Sequence, residues 1–127
     1  MLWTFFEFLT TGNRGVFSEW YEGLAMEAQQ DFDDLLRYLA VTPRHLWIRP
    51  QSAPVSGYRG LWKLRFKANG IQYRPIGFFG PSPGQFTLLF PAEERNRKWV
   101  PKDAPDQAVR RRVTVQSDDT RIRIYEY

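Results

Sequence analysis

The sequence predicts an α+β fold: a mainly antiparallel, twisted sheet of four or five strands, an N-terminal helical hairpin and a short C-terminal helix. Apolar residues recur every three or four positions within residues 14–40, which is the period of an amphipathic helix. In residues 61–90 they alternate with polar residues, which is the period of a strand. With 127 residues the chain has room for one core. We therefore expect a single domain over residues 1–127, with residues 116–127 forming an extra strand or a tail.

The first half is predicted to form a strand followed by helices. Residues 2–9 are apolar and rich in aromatic side chains, and the turn-forming residues 10–13 end this segment, which favours a buried strand. The helical stripe follows, and Gly23 is expected to divide it into a hairpin over residues 14–40. Residues 42–60 contain three prolines and two glycines, which is typical of a loop.

The second half is predicted to form an antiparallel meander. In residues 61–67 the apolar side chains face one side, whereas Lys63, Arg65 and Lys67 face the other. The Asn69-Gly70 pair is the preferred type I′ hairpin turn and should join this strand to residues 71–79. A third strand is expected around residues 86–90, a short helix over residues 101–112 and a last strand over residues 121–125.

The composition narrows the possible chemistry. The chain has no cysteine and one histidine, His45, so disulfides, thiolate nucleophiles and cysteine metal sites are excluded and no metal site is expected. We interpret His45, which lies in the loop, as a structural or exposed residue. No basic leader precedes Glu7, so neither a signal peptide nor a membrane span is expected, and a cytoplasmic setting fits best.

The charge is divided unevenly along the chain. Residues 1–40 carry seven acids and two bases, whereas residues 41–127 carry sixteen bases and seven acids. A basic half is typical of a protein that binds a phosphate-rich partner, because cationic side chains contact phosphates and release counterions. A solvated basic surface is the alternative, and charge alone does not choose between them.

The order of the elements resembles that of the RelE/HigB-like toxins. The shared order is a strand, a helical hairpin, a loop ending in Gly-Leu-Trp, a basic strand, a turn, an aromatic strand and a basic segment before a C-terminal helix. The Leu61-Trp62-Lys63-Leu64-Arg65 segment with Tyr73-Arg74 is similar to the phage-derived branch of the RelE/ParE superfamily. The resemblance spans most of residues 1–115. It implies a RelE-like fold and a type II toxin that cleaves messenger RNA, typically at the ribosome.

The resemblance also implies site residues. RNA carries its own nucleophile, the 2′-hydroxyl, so basic side chains suffice for proton transfer and charge stabilisation, and neither metal nor cofactor is expected. Lys63 matches the candidate base, with Arg65 lowering its pKa, and Arg74 matches a phosphate-binding residue of the transition state. Residues 95–98 match a basic stretch that would act on the leaving oxygen or hold the scissile phosphate. From that stretch Arg95 is taken as a catalytic candidate; the RNA-binding candidates are Lys67, Arg97, Lys98 and Arg59.

Two further expectations concern the geometry of this site. Lys63 and Arg74 are expected to face solvent on one concave surface. Relatives often supply a tyrosine or histidine as general acid after the fourth strand, but here Pro91-Ala92-Glu93-Glu94 adds acidity and no clear tyrosine or histidine follows. Tyr125 and Tyr127 are therefore the remaining candidates for the acid.

Alternatives to this interpretation stay open. The basic strand could be a solvated face, and Arg74 could simply form a salt bridge with an acid on a neighbouring strand. A ParE-like toxin that inhibits DNA gyrase and a non-enzymatic module that binds nucleic acid or protein are the alternative functions. For a toxin, the expected partners are messenger RNA, the ribosome and an antitoxin, with a helix-turn-helix, encoded by a neighbouring gene.

Overall fold

A computed structural model describes residues 1–127 and contains three α-helices and an eight-stranded mixed sheet. None of the helices combines the length and the apolar character needed to cross a membrane. The elements in chain order are β1 (Thr4–Phe8), α1 (Val16–Glu22), α2 (Met26–Ala40), β2 (Ser52–Pro54), β3 (Trp62–Leu64), β4 (Phe66–Ala68), β5 (Ile71–Phe79), β6 (Gln85–Arg95), β7 (Lys98–Val100), α3 (Ala104–Ser117) and β8 (Ile122–Ile124).

The sheet differs from the predicted one in size and in strand direction. Its order is β2-β3-β5-β6-β1-β8, with β4 also paired to β5 and β7 to β6. β1 runs parallel to β6, with Thr4 opposite Gln85, so the sheet is mixed. The prediction of a mainly antiparallel sheet of four or five strands with an N-terminal helical hairpin is therefore wrong. Local periodicity does not reveal this pairing, because parallel strands meet only through a long connection.

Three of the additional strands have only three residues each. β2 lies inside the segment predicted to be a loop and pairs with β3 at the edge of the sheet, where its Pro54 is tolerated. β7 follows a tight turn in which Asn96 and Arg97 have φ angles of 52° and 62°. The predicted strand over residues 61–67 is divided into β3 and β4 at Arg65.

The Asn69-Gly70 hairpin is confirmed. Both residues have positive φ angles, 53° and 78°, as a type I′ turn requires. The turn joins β4 to β5 in an antiparallel pair in which Lys67 lies opposite Gln72. This register fixes which basic side chains share a face of the sheet.

The sheet has helices on both faces. On one face α1 and α2 cover an aromatic-rich core, and on the other α3 covers a second core. Arg111 anchors α3, because its guanidinium donates to the Leu89 carbonyl at 2.7 Å and lies over the rings of Phe8 and Phe90. The first core includes Phe5, Phe17, Phe32, Leu36, Trp47, Leu64, Phe86 and Leu88, and the second includes Phe8, Leu61, Ile76, Phe78, Leu89, Ala92, Ala104, Ala108 and Val115.

Candidate active site

The register brings Lys63 and Arg74 to the same face of the sheet. Lys63 on β3 lies opposite Ile76 on β5, and Ile76 is two residues from Arg74. Side chains opposite each other, or two residues apart on one strand, point to the same side. Both side chains lie on the face of the sheet that α3 covers, beside the end of the second core.

Lys63 is half-buried among other charges. Its ammonium lies 5.6 Å from the centre of the Trp99 ring, and it forms neither an ion pair nor a hydrogen bond. Burial lowers the pKa of Lys63, and the nearby charge of Arg49 lowers it further, while Glu94 opposes the shift. Smaller contributions from Arg65 and Arg74 also lower this pKa. The amine is therefore easier to deprotonate than an exposed lysine.

Arg74 is buried, with 5% of its surface exposed, so the expectation that it faces solvent is wrong. Its Nε donates to Glu94 Oε1 at 3.0 Å. Its Nη1 donates to the Tyr73 carbonyl at 2.8 Å, and its Nη2 donates to Gln72 Oε1 at 2.8 Å. The guanidinium is thus held in place by three partners, and its positive charge acts on its neighbours from a fixed position.

Arg65 connects the strand to the loop before β2. Its Nη1 donates to the Pro50 carbonyl at 3.3 Å, and its Nε is buried without a hydrogen-bond partner. Burial lowers the pKa of Arg65, and the charges of Arg74 and Arg49 act in the same direction. With Lys67 and Arg74 it lines an open depression of about 230 Å³. We use the name cationic cluster for Arg49, Lys63, Arg65, Arg74 and the carboxylate Glu94.

The other predicted site residues lie outside this cluster. Arg95 is exposed and pairs with Lys98 across the β6–β7 hairpin, whereas the preceding Glu94 pairs with Trp99. Because successive side chains alternate, Arg95 points away from the face that carries Glu94, so the structure does not bring it to this cluster. Arg97 lies in the hairpin turn, and Arg59 lies in a loop whose carbonyl accepts from Arg112 of α3.

The two tyrosines considered as general acids are also elsewhere. Tyr125 is buried in the core beneath α2, with its ring 6.0 Å from that of Phe32, and burial raises its pKa. Tyr127 packs edge-on against Phe5, also in that core. Both tyrosines thus belong to the core on the face of the sheet opposite Lys63, and the structure does not bring either of them to the cationic cluster.

Sequence reasoning missed three members of the site or its surroundings. Glu94 follows Ala92 at strand period, so an extended β6 would have placed it on the Arg74 face. Trp99 reaches the site only because a tight turn joins β6 to β7. The Asn96-Arg97 pair in this turn is not a typical hairpin pair, so the sequence does not predict it. Arg49 lies in a proline-rich segment with no periodic signal, and only the tertiary fold brings it near Lys63.

No group of three or more histidine, aspartate or glutamate side chains is arranged so that it could hold a metal ion. Comparisons with protein-family models, curated proteins and solved structures found no match to this chain.

Proposed function

We propose that this protein is a metal-independent endoribonuclease that cleaves messenger RNA through the ribose 2′-hydroxyl and acts as the toxin of a type II toxin-antitoxin pair. The observation that carries the proposal is the environment of Lys63. A half-buried amine near three arginines has a lowered pKa, so it accepts a proton at a lower pH than an exposed lysine would. The basic half of the chain supplies a surface for the phosphates of the substrate.

The reaction needs one proton acceptor and a cationic environment. The neutral amine of Lys63 takes the proton of the 2′-hydroxyl, whose oxygen bonds to the adjacent phosphorus. The bond from phosphorus to the 5′ oxygen breaks, and that oxygen takes a proton from water. Negative charge that develops on the phosphoryl oxygens is stabilised by fixed positive charges nearby.

The arginines have different parts in this scheme. Arg65 lines the open depression beside Lys67 and is the better phosphate ligand, because the Pro50 carbonyl, which accepts from its Nη1, is the only protein group that its guanidinium contacts by a hydrogen bond. Arg74 is held by Glu94, Tyr73 and Gln72, so it acts as a positioning residue that keeps positive charge near Lys63. A planar guanidinium in either place keeps its proton throughout the reaction.

A toxin of this kind also needs partners. The basic surface favours an antitoxin with acidic or amphipathic helical segments that would cover the cationic cluster. Messenger RNA bound at the ribosome is the proposed substrate. An antitoxin encoded beside this protein would bind more weakly as salt is increased, because the contact would be largely electrostatic.

The test uses the purified protein with a single-stranded RNA. We expect products that end in a 2′,3′-cyclic phosphate or a 3′-phosphate, unchanged cleavage in EDTA, and no cleavage when deoxyribose replaces the ribose at the cut site. Lys63→Ala should lower the rate by about 10²- to 10⁴-fold, the usual contribution of a general base. Lys102→Ala removes an exposed lysine in the turn before α3 and is the matched control. A requirement for added magnesium, or full activity of Lys63→Ala, would overturn the proposal.

One observation favours a second function, binding of single-stranded RNA without cleavage. The Arg74 guanidinium donates three hydrogen bonds to protein groups, which leaves it little capacity for a phosphate. Gel-shift and cleavage measurements on the same RNA separate the two. Binding that is salt-dependent but produces no cut RNA, free or ribosome-bound, would favour the binding module.

A further inference from the structure

The largest cavity lies beside the edge strand β2, outside the cationic cluster. It is wide and open to solvent, and its volume of about 710 Å³ is within the range of small-molecule sites. Trp47, which is almost completely buried, and the half-buried Trp62 are its aromatic lining residues. The apolar lining suits a flat, apolar ligand.

A buried hydroxyl without a partner belongs to the same cavity. Ser52 lines it and has 0% of its surface exposed, and its Oγ has no hydrogen-bond partner. An unsatisfied buried hydroxyl is unfavourable in the folded protein and is uncommon without a reason. A ligand with a polar edge would satisfy it.

Two arginines and an imidazole lie at the rim of the cavity. Arg44, His45 and Arg49 all line it and are exposed. The Cζ of Arg44 lies 4.3 Å from the centre of the Phe79 ring, and the residue is exposed. Arginine planes and aromatic rings are the surfaces on which proteins stack unpaired bases, and the positive charge suits the attached phosphate.

The cavity adjoins the cationic cluster. Arg49 belongs to both, since it lines the cavity and acts on the pKa of Lys63. Ala53, another lining residue, lies directly opposite Lys63 in the β2–β3 pair. Trp62 and Lys63 are neighbours on β3 and point to opposite faces of the sheet, so the cavity and the cationic cluster are connected around the sheet edge, through Arg49.

We propose that this cavity holds one unstacked base of single-stranded RNA, next to the phosphate that the cationic cluster attacks, and so sets the base preference of the protein. This inference rests on the proposed ribonuclease function. The partly exposed Trp62 would contact a flat face of the base, the Ser52 hydroxyl would bond its polar edge, and Arg49 would contact the phosphate.

The experiment measures binding apart from cleavage. The probes are AMP, GMP, CMP and UMP, with ribose 5-phosphate as the probe that lacks a base, and binding is followed by calorimetry on the whole protein. We expect one or more nucleotides to bind at least tenfold more tightly than ribose 5-phosphate. Ser52→Ala should weaken the best nucleotide by about 2- to 10-fold, the effect of one neutral hydrogen bond, without lowering the melting temperature.

A second pair of variants tests the cavity even if Ser52→Ala fails to fold. Ile48 lines the cavity and is 58% exposed, and Val113 on α3 is equally exposed. Ile48→Glu should abolish nucleotide binding by repelling the phosphate, whereas Val113→Glu should not change it. Equal binding of ribose 5-phosphate and the nucleotides, or nucleotide binding unchanged by Ile48→Glu, would overturn the inference.

The base site and the ribonuclease function would be overturned by different results. RNA cleavage by a protein that binds no nucleotide at millimolar concentration would overturn the base site and leave the ribonuclease function standing. Base-dependent nucleotide binding by a protein that cuts no RNA would overturn the ribonuclease function and support the cavity as a base site. Lys63→Ala should lower the cleavage rate by about 10²- to 10⁴-fold, while nucleotides still bind more tightly than ribose 5-phosphate.

Discussion

Arg74 on β5 and Glu94 on β6 form an ion pair, 3.0 Å from Nε to Oε1, in which the arginine side chain is 6% exposed and the glutamate side chain 24%. The pair links the two central strands at the point where the second core ends. It also keeps one carboxylate among the cations around Lys63, where that carboxylate raises the pKa that burial and the arginines lower. The same contact therefore contributes to the stability of the sheet and to the electrostatics of the site.

Replacing Arg74 by methionine should destabilise the protein substantially. The change leaves Glu94 and the acceptors on β5 without their donor, and breaking such a pair costs about 2 to 4 kcal/mol when one side is partly exposed. Urea unfolding followed by circular dichroism measures the loss. The control is Arg37→Met, which removes the exposed Arg37–Asp34 pair and should cost less than about 1 kcal/mol. Equal losses in the two variants would contradict this account of Arg74.

RNA affinity should depend on salt through the side chains beside the depression. Lys67 is exposed and lines that depression with Arg65 and Arg74. If Lys67 contacts one phosphate, Lys67→Ala should reduce the slope of log affinity against log salt by about 0.7, the value for one contact on a single strand. Lys102→Ala should leave the slope unchanged. Filter binding of a non-cleavable oligonucleotide gives the slopes, and a Lys67→Ala slope equal to that of the unaltered protein would exclude this contact.

The local pattern was enough to predict the basic face of the sheet. Alternation in residues 61–67 and the Asn69-Gly70 turn together determine that Lys63 and Lys67 share a side, because each depends only on neighbours in sequence. Arg74 joins them through the two-residue period of β5. The sequence-based prediction of its exposure failed, however, since the burial of Arg74 depends on Glu94, a residue twenty positions away.

The other features of the fold and of the site depend on contacts between residues that are far apart in the sequence, and local periodicity does not predict such contacts. The parallel pairing of β1 with β6 joins residues about eighty positions apart, and Arg49 reaches the cluster through a loop with no regular pattern. β2 has three residues and contains Pro54, so its membership in the sheet is decided by the exposed edge of β3 rather than by strand propensity. Such contacts become visible only when the whole chain is folded.

Gly77 should tolerate no side chain. It lies opposite Leu88 at an irregularity of the β5–β6 pair, and a Cβ atom there would lie 2.5 Å from both the Phe86 ring and the Thr87 carbonyl oxygen. Because backbone and a packed ring cannot both move aside, Gly77→Ala should destabilise the fold by about 1 to 3 kcal/mol. Gly12→Ala is the matched control, since a Cβ atom at that position would have no neighbour within 4 Å. Thermal unfolding compares the two, and similar melting temperatures would show that the sheet relaxes around the added methyl group.

The pH dependence of cleavage tests the role of Lys63 most directly. Only the neutral amine accepts a proton, so the rate should rise with pH, with a midpoint below the ordinary lysine pKa of 10.5. Arg49 is the charge that lowers this pKa most, after burial. Arg49→Gln should therefore raise the pKa of Lys63, move the midpoint to higher pH and slow cleavage at neutral pH.

The matched control for this shift is Arg110→Gln, which removes an exposed arginine of α3 that is not among the charges acting on Lys63. Its profile should coincide with that of the unaltered protein, because a screened charge far from the amine has little effect on its protonation. Single-turnover cleavage rates over a range of pH, with saturating protein, separate the proton transfer from RNA binding. If Arg49→Gln lowered the rate equally at every pH, Arg49 would be contributing to phosphate contact alone, and the lowered pKa of Lys63 would have no part in the reaction.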